Sequence, residues 1–370
     1  MKFTIITRYY HPTPDGIAHH SAYIHQFLIA QGHSVQVIYD DGIISLKPKE
    51  INLLVNKINR QKCDWVIFQY NGYSYNRFGA PSWLAKLFKK ITTLSDTKLC
   101  LIVHETFIRE DKGLKLKIYR ILQRQALKAA TKYSNLILTT THLYQSQLDN
   151  LNRKSHLFFT PSNFENYIKE LSIQKPEHEE LILGTFGNRN PDFLIKVLEE
   201  LERKKLHFKF YFIGNYQPIY TKLIKDATNR FTYIQISRSG KLTDRNIVNY
   251  LIQLDAFILL EPVRSDNGGG LNTKSGSSAT ALCMGIPIFS TKGDFTNSHV
   301  FKENENYLLL DYKDYKNSAN IIYEILQNKE HLKQIGHRGQ KLYHEQFSWS
   351  QYLNKMLKLI LDVEAKKSLK

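Results

Sequence analysis

A chain of 370 residues, 42% hydrophobic and 23% charged, holds enough apolar material for two domains of about 150–200 residues each and is excluded from the disordered class. Its formal charge of +17 calls either for an anionic partner or for nothing more than a lysine-rich solvated surface, and both readings stay open. Cys63, Cys100 and Cys283 sit in apolar stretches, allow neither a disulfide framework nor a zinc spacing, and read as reduced, buried thiols of a reducing compartment.

The first apolar run, Phe3 to Thr7, is cut by Arg8 and is too short for the core of a signal peptide. No uninterrupted apolar run approaches the roughly 18 residues of a membrane span. The expectation is a soluble or peripheral cytoplasmic protein.

Lys2 to Thr7 predicts a strand that ends in the turn Pro12 to Gly16; Ala18 to Gln31 predicts a helix stopped by Gly32, and Ser34 to Tyr39 a second strand. This is the βαβ opening of a parallel sheet. Further strands are expected at Asp64–Gln69, Lys98–Val103 and Asn135–Thr139, with helices between them. Ser162 to Glu180, with Pro176 and little apolar periodicity, reads as a linker. The alternation then restarts at Leu181. Strands are expected at Leu181, Phe208, Phe231, Asp255 and Ile286, and helices at Asp192–Lys204, Asn246–Gln253 and Ser275–Met284. Two doubly wound domains follow, with the cleft between them as the default ligand site.

Several chemistries are missing from the loops. The turn after the first strand carries one glycine, Gly16, so G-x-G-x-x-G is absent; the P-loop, G-x-S-x-G and Asp-x-Asp patterns are absent as well. Dinucleotide enzymes, P-loop ATPases and serine hydrolases are thereby disfavoured. The informative segment is Glu261 to Pro287, where a strand runs into a glycine-rich loop and Lys274 precedes Ser275-Gly276-Ser277-Ser278 at a helix start. Free N–H groups at a helix start suit a diphosphate, and a lysine beside them adds a mobile cation. Glu261 and Asp266 flank the loop and suit sugar hydroxyls. The plain alternative is a serine N-cap behind a flexible loop.

This segment resembles the donor signature of GT-B glycosyltransferases, especially the family 4-like bacterial group that assembles cell-surface glycans. The likeness is carried by Asp266, Gly268, Lys274, Ser275, Gly276, Ser277, Ala281, Leu282, Gly285, Pro287, Ser290 and Thr291. Tyr9 to His20 and Gly32 to Val35 are similar to the family's first loop and helix. Gln69-Tyr70, Gly79-Ala80-Pro81 and Trp83-Leu84 are similar to its second crossover, and His104-Glu105 to its cleft-facing pair. Gly184 to Gly187 and Phe212 to Gly214 resemble the opening strands of its donor domain. Phe347-Ser348-Trp349 is similar to its last helix. Two departures stand out: Asn272 and Thr280 occupy the positions of the family's paired glutamates, and of its Arg and Lys after the first donor-domain strand only Arg189 has a counterpart.

The resemblance implies an α/β, GT-B fold: an acceptor-side Rossmann-like domain (1–162), a linker (163–180), a nucleotide-sugar domain (181–346) and a C-terminal helix (347–370) returning to the first domain. It implies a sugar transferase using a UDP- or GDP-linked donor as co-substrate, with no metal or other cofactor. Donor contacts are expected from Gly16, Arg189, Glu261, Asp266, Lys274 and Ser275 to Ser278, with the base near Arg238 to Leu242. His104 would reach the transferred sugar or its phosphate, and Glu105 would orient the acceptor. Retention is favoured; in an inverting reaction Asp15 or Glu105 would be the base. Gln69 and Tyr70 read as core or cleft, with an acceptor role as the cleft reading. The acceptor is a glycan, glycolipid or lipid-linked sugar.

Lys117, Arg120, Arg124 and Lys128 fall on one side of the helical segment Gly113 to Asn135, with Leu114, Ile118, Ile121 and Leu122 on another. Trp83 to Lys90 is likewise amphipathic and basic. Both suit the inner face of an anionic membrane, against the alternative of a solvated sheet-covering helix. The rival readings are an epimerase or phosphorylase of the same fold, a basic nucleic-acid-binding protein, and a scaffold without catalysis.

Overall fold

The computed structural model describes residues 1–368 except 12, 14, 40–45, 95, 110–112, 171–178 and 265–267. It divides into two compact units, Met1–Phe159 with Tyr352–Lys370, and Thr160–Gln351.

The first unit runs β1 (Lys2–Thr7), α1 (Gly16–Ala30), β2 (Ser34–Tyr39), α2 (Pro48–Arg60), β3 (Trp65–Tyr70), α3 (Gly72–Tyr75), α4 (Trp83–Leu94), β4 (Lys98–Val103), α5 (Leu114–Thr131), β5 (Leu136–Thr139), α6 (His142–Asp149) and β6 (His156–Leu157). Its six strands pair in parallel in the order β2-β1-β3-β4-β5-β6. All six residues of the central strand β3 are buried, as a strand covered on both faces requires, and that is why WVIFQY reads as a continuous run instead of alternating. Ile6, Phe68, Leu101 and Val103 join Val55, Leu87, Phe88 and Leu127 from the covering helices in one apolar core. The sequence's amphipathic stretch at Trp83 spends its apolar face here: Leu84, Leu87, Phe88 and Ile91 of α4 are fully buried, so Trp83 to Lys90 offers no apolar face to a membrane.

The second unit runs α7 (Glu165–Glu170), β7 (Ile182–Phe186), α8 (Asp192–Arg203), β8 (Phe208–Ile213), α9 (Pro218–Thr228), β9 (Ile234–Gly240), α10 (Asp244–Leu251), β10 (Ala256–Leu259), α11 (Gly276–Cys283), β11 (Ile288–Thr291), β12 (Leu308–Leu310), α12 (Tyr315–Leu326), α13 (Lys329–Leu342), a π-helical turn (Tyr343–Phe347) and α14 (Trp349–Ser368). From Tyr352 onward α14 groups with the first unit, where Glu364 accepts hydrogen bonds from Trp65 Nε1 and Lys98 Nζ, each 2.6 Å away. The second sheet is again six-stranded and parallel, in the order β12-β11-β10-β7-β8-β9.

Two local departures from the expected elements have physical causes. The strand expected at Phe231 starts at Ile234, because the Glu202 carboxylate accepts the N–H groups of Thr232, Tyr233 and Ile234 at 2.6–3.1 Å. β9 then continues through the polar run Ser237 to Gly240 by pairing with β8. The segment at Ser162, read as a loose linker, is anchored in the second unit: Ser162, Phe164 and Glu165 are buried and Glu165 opens α7, while 171–178 lie outside the described residues. Among the described residues no helix is long and apolar enough to cross a membrane, and the three cysteines are buried and unpaired with one another.

Candidate donor and acceptor sites

In the second unit, the loops at the carboxyl ends of the parallel strands gather most of the residues expected to hold a donor. At the end of β7, Arg189 donates from Nη1 to Phe186 O at 2.6 Å and from Nη2 to Glu261 Oε1 at 2.9 Å. The pair is largely buried, with side chains 26% and 18% exposed, so each fixes the rotamer of the other. Arg189 Nη1 also lies 3.5 Å from Ser277 Oγ, which ties the β7 loop to the start of α11. Glu261 is therefore engaged with Arg189 as well as facing the loop.

The chain reaches α11 through a sharply constrained loop. Gly269 has φ +118°, and a Cβ there would stand 1.9 Å from Pro262 O, so no side chain fits without moving backbone. Asp294 takes the Gly269 N–H at 3.1 Å, and Leu271 N–H reaches Thr291 O at 2.8 Å. Asn272, one of the two positions that depart from the family's glutamates, is buried and braces the loop instead: its Nδ2 donates to Gly270 O at 3.1 Å and its Oδ1 accepts from Lys274 N at 3.2 Å. Thr280, the other, is buried and shares a 2.9 Å hydrogen bond with Ser162.

The four serine and glycine positions of the helix start do not act alike. Ser275 is the N-cap, its Oγ accepting from Ser278 N at 3.3 Å. Ser278 is fully buried and its hydroxyl donates to Ser275 O at 2.9 Å, so its side chain serves the helix and not a ligand, a correction to the sequence reading. Gly276 faces open space, with nothing within 4 Å of a Cβ position, and Ser277 is half-buried beside Arg189. Lys274 lies just before them, its Nζ 5.5 Å from the centre of the Phe295 ring. Asp266 lies outside the described residues. At the neighbouring strand ends, Gly214 N–H donates to Ser239 Oγ at 2.9 Å, which fastens the stretch expected to take the base, Arg238 to Leu242, to the end of β8.

The first unit holds the residues expected to act on the transferred sugar. His104 follows β4, and its Nε2 lies 2.7 Å from Gln69 Oε1; the Gln69 Nε2 lies 3.2 Å from His20 Nδ1. An amide oxygen only accepts and an amide nitrogen only donates, so His104 carries its proton on Nε2 and His20 Nδ1 is an acceptor. His20 is buried against His104 and Tyr352, ring centres 5.2 and 5.0 Å away, and burial holds its pKa well below the usual histidine value. The loop after His104, including the half-buried Glu105, is fastened by Thr106 to Gln147 and by Ile108 N to Gln123 Oε1 at 2.8 Å.

Three expectations change here. Gln69 is 1% exposed with its amide spent between two histidines, and so supports His104 instead of meeting an acceptor. Tyr70 is fully buried in the apolar core, where burial raises its pKa, and its core reading replaces the acceptor one. Asp15 caps α1, its Oδ1 accepting from Ile17 N at 2.9 Å and Ala18 N at 3.0 Å, and Gly16 is the exposed first residue of that helix. His20 was hidden in the sequence, because a histidine on a helix gives no sign of which neighbour it meets.

Two parallel six-stranded sheets with flanking helices, and a glycine-rich loop leading into a helix start in the second, define the GT-B fold. Residues 164–342, just under half of the chain, match the family Glycosyl transferases group 1, and that match marks the chain as a glycosyltransferase. The fold is similar to that of sucrose-phosphate synthase from Thermosynechococcus elongatus, with 13% identity and a TM-score of 0.67 over 99% of this chain and 100% of that one. It is also similar to Anabaena HepE in complex with UDP and glucose, with 12% identity and a TM-score of 0.66 over 97% and 99% of the two chains. A glycosyltransferase from Rickettsia africae ESF-5 superposes with a TM-score of 0.65 at 13% identity over 98% of each chain. No curated protein sequence matches the chain.

Proposed function

We propose that this glycosyltransferase takes its sugar from a UDP- or GDP-linked donor and passes it, in the cytoplasm, to a glycan, glycolipid or lipid-linked acceptor of cell-surface glycan assembly. The observation that carries the reading is the start of α11, where Lys274 precedes a helix N-terminus that is open at Gly276. Helix N–H groups and a lysine there meet the charge that grows on the leaving diphosphate as the glycosidic bond breaks, without a metal. Arg189, held by Glu261, adds a second fixed cation close to Ser277. The likeness to HepE, whose structure holds UDP and glucose, supports a donor of this kind.

His104, oriented by Gln69, donates its Nε2 proton to that amide and keeps its ring directed in one way for the sugar or its phosphate. Glu105 orients the acceptor. Asp15 has one carboxylate oxygen engaged in capping α1, and retention, in which the leaving phosphate takes the acceptor proton, is the favoured outcome. Chromatography of the products of a donor-plus-acceptor reaction tests the reading. A free nucleoside diphosphate with a lengthened acceptor is expected. A sugar 1-phosphate would indicate a phosphorylase, and a donor recovered with one inverted sugar carbon an epimerase; either would overturn it.

A further inference from the structure

We propose that the outer face of α5 is a docking surface for an anionic lipid bilayer. The helix has two apolar stripes. Ala126, Leu127 and Ala130 form one of them and are buried against the first unit. The second points the other way: Leu114 is 76% exposed, Ile121 55%, Ile118 47% and Leu122 46%. Every other helix or strand among the described residues carries at most one large hydrophobic side chain this exposed. Four such residues at positions 114, 118, 121 and 122 share one side of a helix, opposite the buried one.

Basic residues border the stripe. At 100° per residue, Lys117, Arg124 and Lys128 run along one edge and Lys115 stands on the other, with Lys132 just past the helix end. Residues 113–135 contain no aspartate or glutamate. The patch continues beside the helix, where Phe78 packs on Tyr119 with ring centres 5.2 Å apart and Arg77 lies over Phe78 at 4.4 Å. Gln123 fastens this loop to α5 by donating to Phe78 O at 2.7 Å and Tyr73 Oη at 3.0 Å. A merely solvated helix would not put leucine and isoleucine outward. A protein partner would not need six cations and no acid in a stretch of 23 residues, while an anionic membrane takes both at once, the apolar side chains entering the headgroup boundary and the cations meeting the lipid phosphates.

The surface deepens the acceptor reading by favouring a lipid-linked acceptor, but the binding itself does not rest on donor chemistry. Each lysine or arginine near an anionic surface strengthens binding about fivefold. The test is flotation of the full chain with phosphatidylcholine vesicles and with vesicles that also contain phosphatidylglycerol, beside Ile118→Ser/Ile121→Ser and Lys117→Glu/Arg124→Glu. All four side chains are exposed, so both variants should melt like the parent chain, which is checked in parallel. Flotation with the anionic vesicles alone, reduced at least about tenfold in each variant, is the expected result. Equal binding to neutral and anionic vesicles, binding to neither, or anionic binding that the Ile118→Ser/Ile121→Ser chain keeps in full would each overturn it. So would displacement from the vesicles by duplex nucleic acid that the same apolar variant still binds.

Discussion

Replacing Gln69 by leucine is expected to lower turnover of the nucleotide sugar about 100-fold while leaving the donor's affinity nearly unchanged. Gln69 touches neither donor nor acceptor in this account. It acts through His104, whose Nε2 it holds at 2.7 Å, and through His20, whose Nδ1 it reaches at 3.2 Å. Leucine fills a similar volume but accepts no proton, so His104 loses the partner that fixes its tautomer and ring angle. Replacing His104 itself by alanine should cost about 10²–10³ in turnover, and the two changes combined little more than the larger alone. A purely structural role for Gln69 would instead reduce turnover and thermal stability together. The Gln69→Glu variant separates the two: a carboxylate between two imidazoles stabilises their charged forms, so the acid limb of the pH–rate profile should move to higher pH. A profile that stays in place in Gln69→Glu, with full turnover in Gln69→Leu, would remove Gln69 and His104 from the mechanism.

The second large effect concerns stability. Glu165 is 1% exposed, and its Oε2 accepts from Tyr343 Oη at 2.5 Å and from Trp349 N at 2.9 Å. The same cluster ties Trp349 Nε1 to Ser162 O at 2.8 Å and Ser162 N to Tyr343 Oη at 3.2 Å. It thus fixes the segment that opens the second unit to the one that closes it, Thr160 and Gln351 being that unit's ends. Its charge, with burial as the larger cause, pushes the neighbouring Cys283 thiol up to about 12. Glu165→Ala leaves a buried hydroxyl and a buried backbone N–H without an acceptor, at about 1–3 kcal/mol each, for a loss of about 3–5 kcal/mol in chemical denaturation. Glu165→Gln keeps an acceptor oxygen and should lose about 1 kcal/mol. Equal losses for the two variants would mean that charge, and not the hydrogen bonds, carries the cluster.

The strands were legible because buried parallel strands are written as unbroken apolar runs, as in β3 and β4. The start of β9 was not, since the Glu202 carboxylate that replaces its first ladder bonds lies some 30 residues upstream, where local pattern says nothing. The same limit hid the Gln69 bridge: a polar residue at the end of a buried strand fits core and cleft alike until the histidine partners are in place. On α5 the sequence shows two apolar stripes with no indication of which one covers the sheet. Only packing decides that the alanine-rich one does, and so leaves Ile118 and Ile121 outside. At the start of α11 the residue types were readable but their division of labour was not, because Ser275 and Ser278 satisfy each other and leave Gly276 and Ser277 toward the open side.

The proposed function stands on the start of α11 binding the diphosphate of a nucleotide sugar. It is tested most directly by calorimetric titration of the full chain with UDP, GDP, their common sugars and inorganic diphosphate, beside Lys274→Ala. Selective binding of one nucleotide in the micromolar range is expected, weakened about tenfold or more in Lys274→Ala. Binding of that nucleotide unchanged by Lys274→Ala, or no binding across the panel, would contradict it.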